Sequence, residues 1–239
     1  AAGPGAGAAA GGVPRVDLAA FERLDLLEET PMSAVFRVRD RRTGRCAAGK
    51  RIRKGSDVHR SGDYLNEVKM LASLSELPHV VKLLGVCDCG SDFWTLTELC
   101  AGGILTGWLE KHPRTLGTVV DELVRAVGQL HDRLVCHLDI KPDNVLVTDA
   151  GRVRLCDFVT SCRLEQAGQQ VAGNCGTPGF RAPEVGPDRG YCPLRADIFS
   201  LGRTLQEAAR AEPTWRELVR AGRQMAAEDP RQRPALAAV

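Results

Sequence analysis

The sequence predicts an α+β fold in which a small β-rich part precedes a larger helical part. Three observations predict it. Apolar and polar residues alternate through 21–54 and again through 80–99, the period of half-buried strands. Past Ala101-Gly102-Gly103 the spacing changes to three and four residues, with apolar stripes at 117–131, 195–211 and 214–227. Only one helical stretch, 63–75, interrupts the strands.

Taken in order, residues 1–16 are an Ala/Gly-rich leader with almost nothing to bury, expected to be flexible. Ala34-Val35-Phe36-Arg37-Val38-Arg39 then alternates, Arg41-Arg42-Thr43-Gly44 supplies a turn, and 46–52 resumes the alternation, a β-meander. Residues 63–75 put Leu65, Val68, Leu71, Ala72 and Ser75 at helical spacing, with Asp63 near the start and Pro78 beyond the end. The runs 80–86 and 93–99 read as a hairpin joined by the polar CDCGSD. After the long helix 117–131, short strands at 144–147 and 152–158 are divided by Asp149-Ala150-Gly151, and an irregular polar stretch runs to about 190. The last helices carry Ile198, Leu201 and Leu205, then Trp215, Leu218, Val219 and Met225. The start at Ala1, without a methionine, and the stop soon after a helix start are those expected of a piece of a longer chain.

Composition excludes several classes. With 44% hydrophobic and 26% charged residues in 239, the chain can bury a sizeable core, which argues against intrinsic disorder, collagen and coiled coil. Lys+Arg 32 against Asp+Glu 30 gives a net charge of +2, too balanced for a nucleic-acid footprint. No window is long and apolar enough for a membrane span and no secretory signal opens the chain, so an intracellular protein is expected, in the cytoplasm rather than the nucleus. Nine cysteines, an odd and scattered set, form neither a disulfide framework nor a paired zinc pattern. Cys87-Asp88-Cys89 is the only close pair and reads as a strand end.

The most informative segment is His137-Leu138-Asp139-Ile140-Lys141-Pro142-Asp143-Asn144, followed thirteen residues after Asn144 by Asp157-Phe158-Val159. Alone, each Asp or Asn here reads as a residue that solvates a turn. Together they resemble the catalytic loop and metal-binding motif of eukaryotic protein kinases, HRDxKxxN and DFG. The resemblance implies that Asp139 accepts or orients the substrate hydroxyl proton, that Lys141 stabilises the transferred phosphoryl group, and that Asn144 and Asp157 hold Mg2+ on ATP. Phosphoryl transfer is mostly positioning and charge neutralisation, so such groups must converge.

Further matches follow in the family's order. Ala48-Gly49-Lys50 resembles the strand lysine motif, and Glu67 is placed to pair with Lys50 and hold it against nucleotide phosphates. Pro78-His79-Val80-Val81-Lys82-Leu83 resembles the strand after that helix. Residues 97–103 resemble the gatekeeper and hinge, with Thr97 as gatekeeper and backbone groups of Glu98 and Cys100 available to adenine. Val35, Ala48 and Leu146 would sandwich the adenine ring, and Leu71, Leu83, His137 and Phe158 would stack into the spine linking the lobes. Gly176 to Glu184 resembles the end of the activation segment, Asp197 to Gly202 the central helix of the second lobe, and Arg233 the arginine that pairs with Glu184. The resemblance covers about 20–234. It implies a bilobal protein-kinase-like fold over 17–239, with a β-rich N-lobe at 17–99 and a helical C-lobe, shortened towards its end, at 100–239. Lys141 and Gly176-Thr177-Pro178 favour the serine/threonine class.

The family pattern is broken in four places. Glu28, Thr30 and Ser33 stand where the phosphate loop has three glycines, which let backbone approach phosphate without a Cβ. Their loss is expected to cost about 1–3 kcal/mol, a five- to 150-fold loss of nucleotide affinity. Val159 replaces the glycine of DFG, and a β-branched residue resists positive φ. Leu138 replaces the arginine that clamps an activation-loop phosphate, and 171–174 offers no hydroxyl to phosphorylate, so no control by that phosphate is expected. Only residues 202–228 separate Leu201 from Asp229, so the helix that commonly docks protein substrates is expected to be truncated. Two functions stand open: a protein serine/threonine kinase using ATP and Mg2+ on a protein substrate, or a pseudokinase scaffold that engages regulatory protein partners with weak or no nucleotide binding. Cys156, next to Asp157, would line the nucleotide cleft, either as a reactive thiol or as an inert buried one.

Overall fold

Alternation in the first hundred residues builds one five-stranded antiparallel sheet. Its strands are β1 (Phe21–Glu29), β2 (Ser33–Asp40), β3 (Cys46–Arg53), β4 (Leu83–Cys89) and β5 (Asp92–Glu98), in the order β1-β2-β3-β5-β4. The computed structural model describes residues 12–31, 33–54, 58–211 and 215–236, which gather into two compact units. The first takes the described residues to Glu76 together with Val81–Leu99; the second takes Leu77–Val80 and the described residues from Cys100 on. This is the α+β fold of the sequence reading, a β-sheet unit and a helical unit.

In the first unit the register pairs Val35 with Lys50, Lys50 with Thr95 and Ala48 with Thr97, so these side chains share one sheet face. Helix α1 (Val58–Ser73) packs on that face, its Tyr64 ring stacked 4.4 Å from Phe93. The other face carries Val38, Ala47, Trp94 and Leu96. Of the stretch expected to be a free leader, residues 1–11 lie outside the described residues. Its end is bound: Val86 N–H donates to Pro14 O (2.9 Å) and Val16 N–H to Val86 O (3.0 Å), and Val16 covers the second face.

Several boundaries differ from expectation; β4, for one, runs Leu83–Cys89 rather than 80–86. α1 starts at Val58, not Asp63, and Leu65 is 49% exposed rather than on the buried stripe. The buried stripe is Tyr64, Glu67, Val68, Leu71 and Leu74; it contains a carboxylate because that carboxylate has an ionic partner. The β4–β5 hairpin turns at Gly90-Ser91, so Cys87 and Cys89 belong to the strand rather than a six-residue loop, and Gly90 supplies the positive φ (+64°) the tight turn needs.

The second unit centres on α3 (Leu116–His131), whose Leu116, Val119, Leu123, Ala126, Val127 and Leu130 are buried, and on α4 (Pro193–Ala208). Helix α2 (Leu105–Lys111) precedes them and α5 (Arg216–Met225) follows. β6 (Gly103–Ile104), β8 (Val145–Val147) and β9 (Val153–Leu155) form a three-stranded sheet; β7 (Val135–Cys136) pairs with β10 (Cys162–Arg163). α4 and α5 touch through Gly202 and Gly222: a Cβ at Gly202 would lie 2.6 Å from Gly222 O. That close approach lets so short a connection close, with Gln206 Nε2 donating to Gly222 O at 3.0 Å.

Candidate active site

The polar residues singled out from sequence fall in both units. In the first, Lys50 projects from β3 and Glu67 from α1, and Nζ lies 3.0 and 3.1 Å from the two carboxylate oxygens. Glu67 is 4% exposed, so the pair fixes both the cation and the helix. Val35, Ala48 and Thr97 flank Lys50 on the same sheet face. Glu98 is bonded twice to Lys82: its N–H donates to Lys82 O (2.9 Å) and its Oε1 accepts Lys82 N–H (3.0 Å).

The β1–β2 hairpin, where the family has glycines, is held by its own side chains. Thr30 Oγ1 accepts Ser33 N–H (3.0 Å) and lies 3.0 Å from Ser33 Oγ, while Thr30 N–H donates to Ser33 O (2.8 Å). The residues that displaced glycine thus close the turn.

In the second unit, residues of the 137–144 loop and Thr177 meet at one carboxylate. Asp139 Oδ1 accepts the Thr177 N–H (2.8 Å) and hydroxyl (2.7 Å); Oδ2 accepts Asn144 Nδ2 (3.0 Å) and lies 3.3 Å from Lys141 Nζ. Lys141 Nζ also donates to Thr177 Oγ1 at 2.8 Å. Thr177 can come this close because Gly176, at φ +84°, has no Cβ; one there would sit 2.8 Å from Leu138 O. Asn144 O accepts Cys156 N–H (3.0 Å), so the backbone sets Asn144 beside the residue preceding Asp157. Leu146 lies in β8, and Cys100 is buried with its carbonyl accepting Gly103 N–H at 3.0 Å. Cys156 is half-buried, its thiol donating to Asn144 O at 3.5 Å.

Backbone conformation supports the loop. Among described non-glycine residues only Leu134, Leu138 and Asp157 have positive φ. The left-handed residue of the Asp-Phe-Val motif is therefore Asp157 (+60°), not Val159, and the expected conflict at Val159 does not arise in this conformation. His137 donates from Nε2 to Cys156 O (2.9 Å) and accepts Asp139 N–H at Nδ1 (3.3 Å), and its ring lies 4.8 Å from that of Phe158.

Two positioning residues carry no site role in the sequence reading. Asp197, wholly buried, accepts His137 N–H (2.8 Å) and Leu138 N–H (2.7 Å) and meets His131 Nε2 at 3.1 Å. Thr177 stands in the sequence only as part of the Gly176-Thr177-Pro178 motif. Their partners lie 59–66 and 36–38 residues away in sequence, contacts no local pattern reports. The pairing of Arg233 with Glu184 is present and bidentate (2.6 and 2.8 Å).

A family model described as protein kinase domain matches residues 21–235. The chain is 32% identical over 198 residues to serine/threonine-protein kinase KIC1 of Saccharomyces cerevisiae, covering 82% of this chain and 18% of that protein. It is 34% identical over 208 residues to serine/threonine-protein kinase 10 of Homo sapiens, covering 83% and 21%. With serine/threonine-protein kinase RUNKEL of Arabidopsis thaliana it shares 30% over 186 residues, 76% and 13%. The chain thus spans about a fifth or less of the length of these curated relatives.

Proposed function

Because the chain belongs to the eukaryotic protein kinase superfamily, we propose that it is a protein serine/threonine kinase, transferring the γ-phosphoryl group of ATP to a hydroxyl of a protein substrate. The observation that carries this reading is the convergence of Lys141, Asn144 and Thr177 on the Asp139 carboxylate. Asp139 already accepts one hydroxyl, that of Thr177, at 2.7 Å; a substrate serine or threonine presents the same donor. Lys141 holds a fixed positive charge 3.3 Å from this carboxylate, where it can oppose charge developing on a transferred group. Lys50, set by Glu67, offers a second fixed cation for nucleotide phosphates.

The donor set fits magnesium. Asn144 and Asp157 offer hard oxygen ligands, the kind magnesium takes. A cation held by one amide and one carboxylate takes its remaining ligands from phosphate and water, as Mg2+ does. When bound there, it would neutralise phosphate charge.

Activity is proposed to need no activation-loop phosphate. Leu138 is buried among Cys136, Leu164, Ala182, Tyr191 and Ala196, so apolar packing occupies the place of a cationic clamp. Asn174 bonds to Arg181, a contact that needs no phosphate. All nine cysteines are free, which suits a reducing intracellular compartment, and the cytoplasm is the proposed location.

A second reading, the pseudokinase scaffold, is favoured by one observation: Thr30 and Ser33 close the β1–β2 turn on itself, leaving fewer N–H groups for phosphate. A thermal-shift titration with Mg-ATP followed by γ-phosphate transfer separates the two. The kinase reading expects stabilisation and transfer, both reduced in Asp157→Asn; the scaffold reading expects no transfer from either protein.

A further inference from the structure

Cys136 and Cys162 face each other across the β7–β10 ladder, one at the entry to the catalytic loop and the other five residues past Asp157. The ladder sets their spacing. Leu164 N–H donates to Leu134 O (2.7 Å), so that pair is a hydrogen-bonded one, and two residues along so is Cys136–Cys162. Such pairs hold Cα atoms about 5.5 Å apart. That is inside the roughly 4.4–6.8 Å range a disulfide spans, so a bond needs no movement of the strands.

From this juxtaposition we propose that Cys136 and Cys162 form a reversible oxidative modification site, closing to a disulfide on exposure to a hydroperoxide. The two thiols differ in a way that assigns roles. Cys136 is wholly buried; the neighbouring Cys162 thiol first, and burial second, push it far above the usual thiol range. The Cys136 thiol in turn lowers Cys162, which is partly exposed. Cys162 is the attacking thiolate and Cys136 the resolving thiol. In the first step the Cys162 thiolate attacks a peroxide oxygen, the O–O bond breaks, and with one proton taken up the products are a sulfenic acid and water. In the second, Cys136 sulfur attacks the Cys162 sulfur, the S–O bond breaks, and the Cys136 proton leaves with hydroxide as a second water. Two thiols lose two electrons and two hydrogens; one hydrogen peroxide becomes two waters.

The bond would tie the entry of the catalytic loop to the segment leaving Asp157. Thiol reductants of the cell would reverse it. Competing partners are Cys175, which packs against the same apolar cluster as Cys162, and Cys192 at the N-cap of α4, which acts electrostatically on Cys136. Neither is the ladder partner of Cys162.

The test uses the full chain, reduced, treated with hydrogen peroxide and digested without reductant. Mass spectrometry is expected to find the peptides holding residues 136 and 162 linked, lighter by two hydrogens, and separated again by dithiothreitol. The linked form should gain roughly 5–10 °C in apparent Tm. In Cys136→Ser, dimedone should trap a sulfenic acid on Cys162; in Cys162→Ser, Cys136 should stay reduced. Oxidation of Cys162 in the unsubstituted chain while Cys136 remains a free thiol would overturn the proposal, as would a link from Cys162 to Cys175 or Cys192. The readout is mass, so it is independent of whether the chain transfers phosphate.

Discussion

Thr177 gives both its backbone N–H and its hydroxyl to the same oxygen of Asp139, at 2.8 and 2.7 Å, while Lys141 Nζ donates to the Thr177 hydroxyl at 2.8 Å. A residue of the activation segment thereby orients the carboxylate proposed to meet the substrate hydroxyl. Misplacing such a group by about 1 Å costs on the order of 100-fold in rate. Thr177→Val, which keeps shape and loses the hydroxyl, should lower kcat by roughly 10- to 100-fold with little change in KM for ATP. Thr177→Ser should restore most of it. Full activity in the valine variant would contradict this role.

Asp197 is a buried carboxylate whose charge is spread over two backbone N–H donors and His131. Asp197→Asn replaces an acceptor-only group with an amide that must turn one NH2 towards a donor. The cost should be about 2–4 kcal/mol, read as a lowered urea midpoint. An unchanged midpoint would mean the catalytic loop is held by packing alone.

How much of this was legible in sequence follows from how local each contact is. The loop 137–144, Asp157 and the pairing of Lys50 with Glu67 were legible because residue type and order repeat a family pattern. The turn at Gly90-Ser91 is narrower than the six-residue CDCGSD join, because Cys87 and Cys89, which read as a strand end, continue the period of β4. Glu122 gave a polar break in the α3 stripe; it is buried because Arg152 Nε (2.8 Å) and Val153 N–H (2.8 Å) reach it from β9 and the turn before it. Val159 looked strained only because the family pattern puts the positive φ two residues later; the chain puts it on Asp157. Contacts closed by tertiary folding, such as Thr177 on Asp139, leave no local signal.

The Lys50–Glu67 pair offers a third prediction. Glu67→Gln keeps a hydrogen-bonding group but removes the charge that fixes Nζ. Affinity for Mg-ATP should fall roughly tenfold, about 1.4 kcal/mol, measured by calorimetric titration. Because Glu67 is buried and its pairing with Lys50 also fixes the helix, the thermal midpoint of the apo protein should fall as well. Unaltered affinity would indicate that Lys50 needs no anchor.

His79 makes stability depend on pH. It is 6% exposed, and burial holds it below its ordinary value of 6.5 against the smaller opposing pull of Glu122 at 3.8 Å. The folded state therefore refuses a proton that the unfolded chain accepts. Stability is complete above about 6.5 and falls as pH drops below it, until the folded His79 is itself protonated, with a slope of at most about 1.4 kcal/mol per pH unit. His79→Gln should flatten this part of the curve of urea midpoint against pH between about 7.5 and 5.5. Equal slopes in both proteins would place the acid sensitivity elsewhere.

The measurement closest to the central claim is the rate of γ-phosphate transfer from Mg-ATP to a serine- and threonine-containing protein, for the chain and for Asp139→Asn side by side. The asparagine keeps the size and one acceptor oxygen for Thr177 but cannot take a proton. A rate at least roughly 100-fold lower in the variant, with Mg-ATP binding retained, is the predicted result. Equal rates, or no transfer from either protein, would contradict it.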